Sequence, residues 1–276
     1  MYYPPGFDSK KAIELGNLVK QAYEQFQSYK NGREWKLSGD YNLVSIITYV
    51  PWQMGFSATE DETGPSLIDQ EMEEIEQEKA VSFGVVETVE NLFKDYPMGF
   101  VATSKDGKNA YLIFRGTVTK QEFLKDAKIK WQPYLSANWG NVALGFSEVY
   151  MACRDSFVKT LGSLGPDLNL YISGHSLGAA LSVLSLPDVA KTTHYKKPVL
   201  YNFGCPRVGD NDFVSAYNAL PSQTFRIANS SDLVASLPPP APMYYSHVNV
   251  SVEFNIQKND IGLNHSMDTY VAALSG

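Results

Sequence analysis

The run Gly174-His175-Ser176-Leu177-Gly178 lies between two segments of opposite character. Before it, Leu168-Asn169-Leu170-Tyr171-Ile172-Ser173 is short, apolar and β-compatible. After it, Ala179-Ala180-Leu181-Ser182-Val183-Leu184-Ser185-Leu186 is small and apolar at helical spacing. A G-x-S-x-G run alone is common by chance. Strand, tight turn and helix around it make the serine a nucleophile candidate. A serine at such a turn is strained, and side chains beside it would collide with strand or helix. Gly174 and Gly178 remove those Cβ atoms. The turn lifts the Ser176 hydroxyl off the sheet edge and sets it at a helix N-terminus. There the free N–H groups and the helix dipole favour the negative charge that develops in acyl transfer.

The 276 residues suffice for one large α/β domain with a buried core. A net charge of −7 argues against a nucleic-acid partner and against strong attraction to an anionic lipid surface. Cys153 and Cys205 are the two cysteines, too few for a disulfide framework and expected to be free and buried. Met1-Tyr2-Tyr3-Pro4-Pro5-Gly6 lacks a basic stretch leading into an apolar one. No apolar run approaches the roughly 20 residues of a membrane span. The expectation is a soluble, cytoplasmic protein.

A single domain over 1–276 is expected, with residues 1–95 supplying a helical cover and an acidic segment. Ser9 to Tyr29 has apolar residues near helical spacing, with Asp8 or Ser9 placed to cap it. The acidic run from Thr59 to Lys79 is expected to be a solvated surface segment. Gly99 to Ser104, Asp106-Gly107 and Ala110 to Phe114 predict a β-hairpin. Pro198 to Phe203, Thr224 to Ala228 and His247 to Phe254 are further strands. Helical patterns such as Asp212 to Leu220 separate most of them. The alternation predicts an α/β fold: a mostly parallel central sheet flanked by helices, with an antiparallel addition at one edge. Pro238-Pro239-Pro240-Ala241-Pro242 is expected to form a rigid wall beside a cleft.

A serine hydroxyl needs a base to take its proton, and the chain has four histidines. His175 lies inside the turn and should point away from the Ser176 hydroxyl. His194 sits in a polar stretch expected at the surface. His265 follows the last strand and a polar loop, opens a final helical segment, and can reach the strand C-terminal edge. It is the first choice for general base, with His247 the alternative. The base needs a carboxylate partner. Asp232, on the loop after Thr224 to Ala228, preserves the order serine, acid, histidine. Asp210 and Asp212 look like helix caps, and Asp188 and Asp260 like surface loop residues. The oxyanion donors are expected to be the Leu177 N–H and Thr117, which follows Phe114-Arg115-Gly116.

These residues resemble the class 3 lipases, the fungal-lipase-like branch of the α/β-hydrolases. Phe114-Arg115-Gly116-Thr117 is similar to the family's oxyanion block, and Leu144-Gly145-Phe146 to its x-G-F block. Gly174 to Gly178 resembles the nucleophile elbow. Asn202-Phe203-Gly204-Cys205-Pro206-Arg207-Val208-Gly209 resembles its F-G-x-P-R-V-G block. Arg226 through Asp232 to Pro239 resembles the block with the acid, and His265 with Tyr270 the terminal block. The family usually has histidine where this chain has Leu144.

The resemblance implies an α/β-hydrolase fold with Ser176, Asp232 and His265 as triad and Thr117 and Leu177 at the oxyanion hole. It implies a lid after the oxyanion strand, for which 118–134 is the candidate, with Phe123, Leu124, Ile129 and Trp131 available to an acyl chain. The implied activity is hydrolysis of fatty-acyl esters of glycerolipids at a lipid–water interface, with transient membrane-surface contact and no metal or cofactor. The alternatives are an esterase for soluble or feruloyl-type esters on the same fold, and a catalytically silent lipase-like binding or signalling protein.

Overall fold

The computed structural model describes residues 1–49, 96–117, 130–135, 138–239 and 244–276. The acidic run, residues 118–129 of the expected lid and most of the proline run lie outside the described residues.

The described chain begins with helix α1 (Ser9–Lys30) and strands β1 (Tyr41–Tyr49), β2 (Tyr96–Ser104) and β3 (Asn109–Phe114). A small ribbon, β4 (Trp131–Pro133) and β5 (Asn141–Ala143), leads into α2 (Leu144–Ser163). Then strand and helix alternate: β6 (Asn169–His175), α3 (Leu177–Thr192), β7 (Val199–Phe203), α4 (Asn211–Asn218), β8 (Gln223–Asn229) and β9 (Val250–Phe254). Two short helices close the chain, α5 (Ile261–Asn264) and α6 (Met267–Ser275).

Seven strands form one sheet in the order β1-β2-β3-β6-β7-β8-β9. β1, β2 and β3 pair antiparallel, and every pair from β3 to β9 is parallel. The expected hairpin is the β2–β3 unit, its turn eased by Gly107 at a φ of 70°. The two-residue period sorts side chains between two buried layers. Ala110, Leu112, Phe114, Leu170, Ile172 and Leu200 face α2 and α3. Tyr111, Ile113, Tyr201, Phe203, Phe225 and Ile227 face α1 and α6. Asp8 caps α1 by accepting the N–H groups of Lys10 and Lys11. Ala12, Leu15, Leu18, Val19, Ala22 and Phe26 form its buried face.

Several positions differ from the sequence reading. β1 was not expected. It is an edge strand whose Leu43, Val44 and Ile46 remain exposed, so it lacks the alternation that marks a half-buried strand. Asp188 is not a loop residue: it is buried within α3 and paired with Arg154. His194 is half-buried against Tyr195, with ring centroids 4.2 Å apart. His247 precedes β9 rather than beginning it. Trp131 stacks on Tyr245 at 4.0 Å. Cys153 and Cys205 are free and buried, and burial pushes both thiols up to about 12.

Candidate active site

Parallel strands β6, β7 and β8 end at one edge, and the loops after them converge there. At the end of β6 the chain turns into α3 through Ser176, whose φ of 57° and ψ of −123° no ordinary strand or helix residue adopts. Three glycines make this turn sterically possible. A Cβ on Gly174 would lie 2.1 Å from the Gly178 carbonyl oxygen, and one on Gly178 would lie 2.2 Å from the Arg115 carbonyl oxygen. A Cβ on Gly116 would lie 2.9 Å from that of Ser176, which sets the turn after β3 directly against the serine. The Ser176 N–H donates to the Phe203 carbonyl, tying the elbow to β7. Ala179 and Ala180 donate back to the Ser176 carbonyl, whereas the Leu177 N–H belongs to the first helical turn and has no intrahelical acceptor.

Asp232 and His265, the residues expected as acid and base, lie beyond β8 and β9. His265 Nδ1 is 2.6 Å from Asp232 Oδ2, and both residues are buried. Asp232 Oδ1 accepts the Val234 N–H at 2.9 Å. Tyr270 Oη donates to Asp232 Oδ2 at 2.6 Å, so three donors hold this carboxylate. Burial and the Asp232 charge both raise the Tyr270 phenol well above its ordinary range, which keeps it a donor. Gly204, at a φ of 56°, leaves room for the ring: a Cβ there would lie 2.9 Å from His265 Cε1 and 3.1 Å from Asp232 Oδ2. His265 Nε2 is buried and has no hydrogen-bond partner among the described residues. Bonds from an unliganded serine to its base are often long and tighten when substrate binds.

Around these groups lies a supporting layer that sequence reasoning did not assign. Arg115, fully buried, donates Nε to the Pro97 carbonyl at 2.7 Å and Nη1 to the Gly116 carbonyl at 2.8 Å. Its guanidinium lies 3.7 Å from the centroid of the Phe26 ring. It thereby anchors the turn that carries Thr117. Asn229 Nδ2 donates to the carbonyls of Ile256 and Asn264, fixing the loop before His265. Tyr23 of α1 accepts the Gly116 N–H at 3.0 Å and lies 2.7 Å from His175 Nδ1. The other ring nitrogen of His175 lies 2.7 Å from the His265 carbonyl oxygen. His175 therefore turns away from the Ser176 hydroxyl as expected, and it contacts the backbone of His265. His247, the alternative base, forms no such pair. Burial first, then Arg226 and Arg207, lower its imidazolium to about 3.

The arrangement provides a serine at a strained strand–helix turn, free amide hydrogens beside it, and an imidazole held by a buried carboxylate at the same sheet edge. A mostly parallel sheet carrying that set defines the α/β-hydrolase class. The family model Lipase (class 3) matches residues 111–241, and over that segment the chain is similar to the class 3 lipases. The chain is 27% identical over 226 residues to the chloroplastic/mitochondrial phospholipase A1 EG1 of Oryza sativa subsp. indica, covering 65% of this chain and 52% of that protein. It is 31% identical over 161 residues to the secreted mono- and diacylglycerol lipase A of Penicillium cyclopium, covering 56% of this chain and 50% of that one. The crystal structure of the lipase from Rhizopus microsporus var. chinensis matches with a TM-score of 0.61 at 22% identity, over 91% of this chain and 77% of that one, a likeness of fold. The chain spans about half the length of the curated relatives it matches.

Proposed function

We propose that the protein is a serine ester hydrolase that cleaves fatty-acyl esters of glycerolipids, with Ser176 as nucleophile, His265 as general base and Asp232 as its partner. The observation that carries the reading is the 2.6 Å contact between His265 Nδ1 and Asp232 Oδ2 at the edge where the elbow presents Ser176. The carboxylate fixes the tautomer that leaves Nε2 bare and stabilises the imidazolium once it forms. His265 Nε2 takes the Ser176 proton as Oγ bonds to the ester carbonyl carbon. The Leu177 N–H and Thr117 stabilise the oxyanion. Collapse expels the alcohol, which receives that proton, and leaves an acyl-serine. Water then attacks with His265 again as base, releasing the fatty acid and regenerating Ser176.

The lipid class of substrate follows from the family and from the surroundings of the site. Leu233 follows Asp232 directly, and Ile261 and Leu263 lie in α5, just before His265. All three are exposed, giving the rim apolar groups that suit transient contact with a lipid–water interface. The names of the relatives include phospholipase A1 and mono- and diacylglycerol lipase, which are ester hydrolases of glycerolipids. A cytoplasmic placement belongs to the same proposal and is supported by the two free thiols. Among the described residues no helix is long and apolar enough to cross a membrane.

The test is hydrolysis of a mixed lipid extract with mass spectrometry of the products, beside fluorophosphonate labelling of wild type and Ser176→Ala. Release of fatty acid by wild type, with loss of labelling and about 10⁴-fold or greater loss of turnover in Ser176→Ala, is expected. A folded Ser176→Ala protein that keeps full hydrolysis overturns the mechanism. A rate that ignores the onset of micelle formation turns the assignment toward soluble esters.

A further inference from the structure

We propose that Tyr23 and His175 are positioning residues that couple the first helix to both the oxyanion turn and the backbone of the general base. The inference rests on the reading of Ser176, Asp232 and His265 given above. It concerns a chain of hydrogen bonds whose direction can be worked out atom by atom. The His265 carbonyl only accepts, so the His175 Nε2 that lies 2.7 Å from it must carry a proton. His175 is buried, and burial together with the neighbouring His265 disfavours its charged form strongly. The ring is therefore neutral, and Nδ1 is bare. Tyr23 Oη, 2.7 Å away, must donate its hydrogen to Nδ1. The Tyr23 oxygen still has a lone pair to accept the Gly116 N–H at 3.0 Å. This arrangement of hydrogens satisfies all three contacts.

The contacts join residues 152, 93 and 90 positions apart in sequence. At one end they fix Gly116, the residue before Thr117, against the serine. At the other they hold His265 by its carbonyl and leave its imidazole Nε2 unencumbered. The His175 and His265 rings lie 4.3 Å apart at 35°, with Tyr270 edge-on to His175 at 6.0 Å. A charged ring at 175 would oppose the imidazolium that must form at 265, so a neutral, tautomer-locked His175 suits the chemistry. Tyr23 and His175 touch neither the ester nor the reacting atoms. They act through the geometry of the groups that do, where displacements of about 1 Å can cost about 100-fold in rate.

The experiment compares wild type with Tyr23→Phe, His175→Gln and His175→Leu. The readouts are kcat and KM on a short-chain p-nitrophenyl ester below its aggregation limit, the fluorophosphonate labelling rate and the thermal midpoint. Tyr23→Phe should lower kcat and the labelling rate together by about tenfold, with KM within about twofold. Gln offers both a donor and an acceptor, so His175→Gln should keep several-fold more kcat than His175→Leu, which should fall about 100-fold. A purely structural role would lower the thermal midpoint and leave kcat unchanged. Equal labelling of wild type and Tyr23→Phe overturns the proposal, as do folded Gln and Leu variants of equal kcat. If both variants at 175 fail to fold, Tyr23→Phe, which removes a single oxygen, decides alone. Wild type that is neither labelled nor active overturns the hydrolase reading and this inference with it, a result distinct from equal labelling.

Discussion

Two aspartates are buried in this molecule with nearly the same partners. Asp188, inside α3, receives the Tyr150 hydroxyl at 2.5 Å and Arg154 Nε at 2.6 Å. Asp232, on the loop after β8, receives the Tyr270 hydroxyl at 2.6 Å and lies 2.6 Å from His265 Nδ1. Burial holds both tyrosines in the protonated form that donates. The difference lies in the nitrogen partner. Arg154 binds with a second nitrogen as well, at 2.9 Å to Asp188 Oδ1, and a guanidinium does not give up its proton in a protein. That pair is closed: it ties α2 to α3 and has nothing left to exchange. An imidazole can shed and regain a proton, and the second nitrogen of His265 has no partner among the described residues. A buried carboxylate with a tyrosine and a base is therefore no mark of catalysis. The distinguishing feature is a partner that can still exchange a proton.

Replacing each carboxylate by its amide is the largest separation available. Asp232→Asn should lower kcat by about 10³- to 10⁴-fold, because the amide no longer selects the productive tautomer or stabilises the imidazolium. Asp188→Asn should leave kcat within a few-fold. It should cost about 3 kcal/mol of stability by removing the buried counter-ion of Arg154, which keeps only the exposed Asp155. Kinetics on a soluble ester and denaturant unfolding of both variants check this. If Asp188→Asn loses activity as deeply as Asp232→Asn while still folded, the distinction between the two pairs is wrong.

The next effect concerns space. Gly204 combines a left-handed backbone with a ring pressed against its Cα. Gly204→Ala must strain the backbone and push the imidazole off the carboxylate by a few tenths of an ångström. A fall in kcat of roughly 10- to 100-fold is expected, read from the same assay. Gly162 is a useful control, since a Cβ there meets nothing within 4 Å.

How far the sequence could be read follows from the same contrast. The elbow was legible because its glycines, strand and helix are contiguous. The meeting of Asp232 and His265 at one sheet edge was legible because each lies on a segment that follows a recognisable strand. Asp188 was misplaced. It follows Pro187, and proline commonly ends a helix, yet α3 runs through it to Thr192 and buries the aspartate. β1 was missed because an edge strand with an exposed apolar face carries no clean period. Tyr23 and His175 were invisible as a pair because 152 residues separate them and neither carries a local signal. Side chains that act through tertiary contact leave no spacing to read.

The tyrosines give a smaller test of the two clusters. Tyr270→Phe removes one of three donors to Asp232 and should lower kcat by about three- to tenfold, with the Asn229 N–H losing its acceptor as well. Tyr150→Phe should leave kcat unchanged and cost about 1–2 kcal/mol in unfolding, the ordinary loss for a hydrogen bond to a charged group. Equal kinetic losses would show that the tyrosine beside Asp232 serves packing alone.

The smallest effect separates the ring that titrates in turnover from a ring that is silent. His247 is half-buried near Arg226 and Arg207, and its folded value of about 3 lies well below the roughly 6.5 of an unfolded chain. Between those values the unfolded chain binds a proton that the folded one refuses. Stability is therefore whole above about pH 6.5 and declines as the pH falls toward 3, by at most about 1.4 kcal/mol per pH unit from this group. His247→Asn should flatten that decline in denaturant titrations between pH 6 and 4. It should leave the pH dependence of kcat/KM unchanged, because His247 is not part of the proposed His265–Asp232 pair. Should the same substitution shift that dependence, the proton lost in turnover is shared with His247, and the free nitrogen at 265 is not the whole of the base.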